Sequence, residues 1–129
     1  MSFTSSSSSS PRHILAIGLP IPAHLDPTGD ALTRIRALAS SKNIDITLWT
    51  ADITSKDTDT LLSELKDHLT QKQYVAASFG FGIRGSAEST EFFEKAVNLC
   101  GEMQPGIKFA FPRVPGDVVA SCERVLGPA

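Results

Sequence analysis

Four times between His13 and Leu126 a short apolar run gives way to a loop and then to apolar residues at helical spacing. That alternation leaves the chain few folds to choose from. The apolar runs are His13 to Leu19, Ile44 to Thr50, Tyr74 to Phe81 and Ile107 to Phe111. Between and after them lie helical stripes, such as Leu61, Leu62, Leu65 and Leu69, or Val118, Val119, Cys122, Val125 and Leu126. Strands joined through helices run parallel, their crossovers are right-handed, and the helices cover both faces of the sheet. The first and third runs are almost continuously apolar, the pattern of strands buried on both faces. The second alternates, with Ile44, Ile46 and Leu48 on one face and Asp45, Thr47 and Trp49 on the other, and the fourth turns Lys108 away. Those two belong at edges. The strand order 2-1-3-4 satisfies all four, which makes the fold an α/β three-layer sandwich of flavodoxin-like or Rossmann-like type without a fifth strand.

A chain of 129 residues is enough for one core. The reading is a single α/β domain over residues 12–129, preceded by a disordered Ser-rich tail over residues 1–11, which has nothing to bury against the entropy of ordering. A formal net charge of −2 lacks the basic footprint that phosphate backbones require, so nucleic acid is not an expected partner. No apolar run reaches the roughly 20 residues that span a bilayer, so neither is a membrane. The Ser tract has no apolar signal segment, and the expected compartment is cytoplasmic. Cys100 and Cys122 each fall on a helix's apolar stripe and read as buried thiols rather than as a disulfide or a nucleophile.

In the order 2-1-3-4 the chain reverses direction between strands one and three, and open α/β sheets bind ligands in the crevice outside the carboxyl ends of such strands. Strand three runs into Gly80-Phe81-Gly82-Ile83-Arg84-Gly85, a G-x-G-x-x-G loop followed by Ser86 and a helix-like stretch from Glu88. Gly80, Gly82 and Gly85 allow a sharp turn whose amides face an anion, Ser86 adds a hydroxyl, and Arg84 supplies a fixed cation. Motif and topology therefore agree on one place. The expected partner is an anionic small molecule, and the largest polar-rimmed pocket is expected between the 20–30 and 80–86 loops.

The opposing wall is the long connection from Pro20 to Asp30, stiffened by Pro20, Pro22 and Pro27 and carrying His24 and Asp26. A histidine held over the crevice is a proton-transfer candidate, and Asp26 either orients it or caps the next helix. Arg113, after strand four, is placed to meet a second anionic group. Asp52 reads as turn chemistry, Asp117 as the cap of the final helix, and His68 as a packing or surface residue. No spacing of His, Cys, Asp and Glu suggests a metal site, and no cofactor is expected.

A dinucleotide fingerprint sits on the first strand of a larger sheet with an acidic residue about 20 positions further on. Here it follows the third strand, and strand four ends in Pro112-Arg113, which leaves little surface for an adenosine half. The segment from Ala77 to Leu126 also resembles a set of small uncharacterised bacterial and fungal flavodoxin-like proteins, through the turn Gly80-Phe81-Gly82-Ile83-Arg84 and the pair Phe93-Glu94. The resemblance implies the fold and an interest in Arg84, and no activity. Two functional readings follow. One is a cofactor-free isomerase or lyase, with His24 moving a proton and the loop holding the anion. The other is a non-catalytic module binding a small ligand or a protein. Unprotected sheet edges leave room for a homodimer.

Overall fold

The computed structural model describes residues 10–127, so the Ser-rich tail expected over residues 1–11 lies almost wholly outside it. Strands β1 (Arg12–Gly18), β2 (Ile44–Thr50), β3 (Ala76–Phe79) and β4 (Lys108–Ala110) form one sheet in the order β2-β1-β3-β4, every pair parallel. Ile14 sits beside Ile46 on one side and Ala76 on the other, and Ala76 beside Lys108. The expected order and direction are borne out. The helices are α1 (Ala31–Ser41), α2 (Thr58–Gln71), α3 (Phe81–Arg84), α4 (Thr90–Met103) and α5 (Val118–Leu126).

The period-two pattern of β1 builds two cores. Leu15 and Ile17 join Leu61, Leu65, Phe92 and Ala96 under α2 and α4, while Ile14 and Ala16 join Ile35, Ala39, Val119 and Cys122 under α1 and α5. Each buried Leu or Ile contributes about 1.5–3 kcal/mol, so the two apolar faces of β1 anchor both layers at once. The β2 alternation is also as expected: Ile44, Ile46 and Leu48 face the α1 layer and Trp49 the α2 layer, where its ring meets His68 and Phe92. His68 is thus a packing residue.

Several boundaries differ from the sequence reading. β3 begins at Ala76 rather than Tyr74, because the Tyr74 amide turns from the sheet to donate to Gln104 Oε1 at 2.7 Å. β4 spans three residues rather than five, ended by Pro112 two positions on. α4 starts at Thr90, after a 3-10 turn over Ala87–Ser89. Asp117 is not a side-chain cap of α5. Its buried carboxylate accepts instead from the Arg113 amide at 3.1 Å, Arg113 Nε at 3.2 Å and Arg124 Nη1 at 3.2 Å.

Candidate functional site

The glycine motif folds into a closed helical turn. Gly80 caps α3, Ile83 and Arg84 return their amides to Gly80 O, and Gly85 donates to Phe81 O at 2.7 Å. The Gly80 amide is used as well, by Ile17 O at 2.9 Å. Phe81 and Gly82 hold the only amides of residues 80–85 without a main-chain acceptor among the described residues. Nor do these glycines adopt the left-handed backbone that glycine favours; those that do are Gly29, Gly106 and Gly127. Close approach to main chain accounts for Gly85, while Gly82 meets only the end of a side chain. A Cβ on Gly82 would lie 3.0 Å from Leu19 Cδ1, and one on Gly85 would lie 3.0 Å from Phe81 O and 3.1 Å from its ring. The turn therefore lies directly on the carboxyl ends of β1 and β3, pinned by fully buried Ile83 and by Ser89, whose hydroxyl donates to Ile83 O at 2.6 Å.

The two best-formed concavities among the described residues lie elsewhere. One is an open groove of about 490 Å³ between α2 and α4, lined in part by Asp59, Lys66, Lys95 and Glu102. The other, about 240 Å³, lies at the amino end of β2 beside Pro11, Asn43 and Asp45. The switch-point crevice has α3 over it.

Arg84 is held in place by main chain. Its Nε donates to Phe79 O at 3.1 Å and its Nη2 to Pro112 O at 2.9 Å, so the side chain ties the end of β3 to the segment after β4. The guanidinium carbon lies 5.4 Å from the Phe81 ring centroid and 5.2 Å from that of Phe111, close enough for cation–π attraction to both. No carboxylate pairs with it among the described residues. Both rings are open to solvent, Phe81 at 60% and Phe111 at 42%, and nearby Val114 is 57% exposed. Phe111 is not isolated, however. It stands edge-on to Phe93, which stands edge-on to buried Phe79, so a stack of rings leads from the core to this surface. Arg84→Ala should cost about 1–2 kcal/mol of stability, since two partly buried carbonyls lose charged donors. Urea denaturation measures it, and a variant as stable as the parent would show that the strut carries no load.

The other expected site residues make no hydrogen bond or ion pair with one another among the described residues. His24 lies exposed in a 3-10 turn over Ala23–Leu25 and makes no side-chain hydrogen bond among the described residues. Asp26 accepts from the Ala31 amide at 3.1 Å, which makes it a cap of α1 from five residues upstream. Ser86 accepts from the Glu88 amide at 3.2 Å and so starts the 3-10 turn before α4. Arg113 is 78% exposed and paired with Asp117. Asp52 forms a turn by accepting from the Thr54 and Ser55 amides. No group of three or more His, Cys, Asp or Glu among the described residues could hold a metal ion. No helix there is long and apolar enough to cross a membrane.

The sequence reading missed the two phenylalanines. Phe81 ends the third apolar run inside the glycine turn and Phe111 ends the fourth run, and an aromatic placed just past a short strand, beside Gly or Pro, sits beyond the layers that would bury it.

Family profiles, curated proteins and solved structures offer no guide. The chain matches none of them.

Proposed function

We propose that this domain is a non-catalytic binding module, and that the surface of Phe81, Arg84 and Phe111 docks an acidic segment flanked by apolar side chains. One observation carries the reading: a guanidinium without an acidic partner among the described residues lies beside two solvent-exposed aromatic rings. Arg84 spends two of its five N–H donors on carbonyls, which fix its position without neutralising its charge. An incoming carboxylate would meet a preorganised cation, and apolar neighbours of that carboxylate would cover Phe81, Phe111 and Val114. Aromatic and arginine anchors of this kind dominate binding energy at interfaces. Support for the module over the isomerase or lyase reading comes from the same geometry. The loop amides are largely spent on the turn, His24 has no hydrogen-bonded orienting group, and the crevice between the two loops is not among the best-formed concavities.

The probe is an acetylated, amidated leucyl-glutamyl-leucine tripeptide, followed by amide chemical shifts as it is titrated to about 10 mM, the range of weak single-site binding. Shifts confined to residues 79–85 and 109–114 are expected. Replacing the glutamyl by a glutaminyl residue should weaken binding about tenfold, as loss of a charged hydrogen bond does. Phe81→Ser should weaken it about fivefold or more without unfolding the protein, because that ring is already mostly exposed. Absence of localised shifts, or equal binding of both tripeptides, would refute the reading.

A further inference from the structure

The two edges of the sheet are built differently. β4 has three residues, carries exposed Lys108 and is followed two positions on by Pro112, the features by which native edges resist pairing. β2 has seven residues and no Pro, Gly, Lys or bulge, and its one charge, Asp45, is paired with His13 and Lys72. Its hydrogen-bonding directions can be read from its two ends. Arg12 donates to Asn43 O at 3.2 Å and Ala51 donates to Gly18 O at 2.8 Å, so the odd-numbered residues turn their amides and carbonyls toward β1. The even-numbered ones, Ile44, Ile46, Leu48 and Thr50, turn theirs outward. No described residue is hydrogen-bonded to those outward groups.

We infer that β2 pairs antiparallel with β2 of a second copy, across a two-fold axis at Thr47, to make one continuous eight-stranded sheet. The register follows from the outward set. Antiparallel partners that exchange both bonds must be residues facing outward in both chains. With the axis at Thr47, Ile46 meets Leu48 of the second copy and Ile44 meets Thr50, which engages the whole strand in about eight main-chain hydrogen bonds. Shifting the axis to residue 46 or 48 removes one such pair and leaves an end unmatched.

Side chains agree with this register. Ile46 and Leu48, only partly buried against the α1 core, would cover each other across the axis and join the two cores. On the other face Thr47 meets its own copy, a favourable cross-strand pair, and Asp45 meets Trp49. The Lys72 ammonium lies on this face beside the axis in each copy, 3.5 Å from Thr47 Oγ1, and the Asp45 carboxylate 2.9 Å away offsets its charge. The contact is isologous, so it closes at two copies and leaves both β4 edges at the ends of the sheet. It is independent of the Arg84 surface, which lies beyond β3 and β4.

Sedimentation velocity of the full chain, from about 1 to 200 µM, tests the pairing over the affinity range expected for a modest interface. Wild type should pass from monomer to dimer within that range. Thr47→Lys adds a cation beside Lys72 on each side of the axis and should weaken self-association about tenfold or more; Thr47→Glu, which Lys72 can pair, should weaken it less. An equimolar mixture of the two should recover association as a heterodimer. Mild oxidation of a Thr47→Cys variant should link two chains through that position, a readout that holds even if a charged variant folds poorly. A wild type that stays monomeric throughout overturns the inference. So does a dimer that Thr47→Lys leaves intact, or one that Thr47→Cys fails to link.

Discussion

Gln104→Ala is expected to remove about 3–5 kcal/mol of folding stability, a large share of the roughly 5–15 kcal/mol that holds a domain together. Gln104 is buried at the end of α4, and its amide group satisfies three main-chain atoms from the far side of the core. Nε2 donates to Leu69 O at 2.9 Å and Lys72 O at 2.7 Å, and Oε1 accepts from the Tyr74 amide at 2.7 Å. Those three atoms end α2 and lead into β3. Truncation leaves a buried donor and two carbonyls without partners, each costing about 1–3 kcal/mol, besides the cavity. Gln104→Glu separates the two effects, since a carboxylate keeps the acceptor and the volume but cannot donate. Equilibrium urea denaturation, with the slope checked for constancy, reads both variants. A loss under about 1 kcal/mol for Gln104→Ala would mean that water replaces the side chain, and the clamp would then be dispensable.

The second large effect is acid sensitivity centred on Asp117. Hydrogen bonds from Arg124 and from the amide and side chain of Arg113 hold its carboxyl well below the usual carboxylate range. The folded value lies below the unfolded one, so the unfolded chain takes up the proton first on acidification. The stabilisation is therefore complete above the ordinary value of 3.8 and is lost as pH falls from there toward the folded value. Asp117→Ala should cost about 2–3 kcal/mol at neutral pH. The figure stays modest because the two arginines are 78% and 51% exposed, and water screens their attraction. Below pH 4 both proteins lose stability as Asp30, Asp45, Asp52 and Asp57, also held low by their hydrogen bonds, take up protons, but wild type should lose more, so the two curves converge. Parallel curves over that interval would show that Asp117 titrates normally.

What could be read from the sequence followed from local pattern. Strands β1 and β3 lack a polar face, and that fact placed them inside the sheet. The alternation in β2 set both its position and its two faces. The glycine motif was less clear, because glycines spaced in a strand–turn–helix serve close packing as well as anion binding. Gly82 against Leu19 and Gly85 against Phe81 are contacts within the turn and its neighbours, and nothing in the spacing distinguishes them from a cradle. Arg84 was singled out, but its bond to Pro112 O crosses 28 residues and its stacking partners lie on two segments. Gln104 was invisible for the same reason: its acceptors lie 32 and 35 residues away. Asp26 and Asp117 show the reverse. Both precede helices, yet one caps from a distance and the other has exchanged capping for two arginines, a choice set by which groups the fold brings near.

The two cysteines supply a pair of internal clocks. Cys100 lies in the α2–α4 core and Cys122 in the α1–α5 core, both fully buried, and desolvation raises their thiols to about 12 and about 11. Neither can react with a thiol reagent until its own layer lifts from the sheet. Labelling rates at the two positions, compared under mild denaturant, therefore time the opening of each layer separately. Equal rates would mean that the sheet loses both coverings in one event; a faster Cys122 would mean that the layer carrying the short α5 lifts off first.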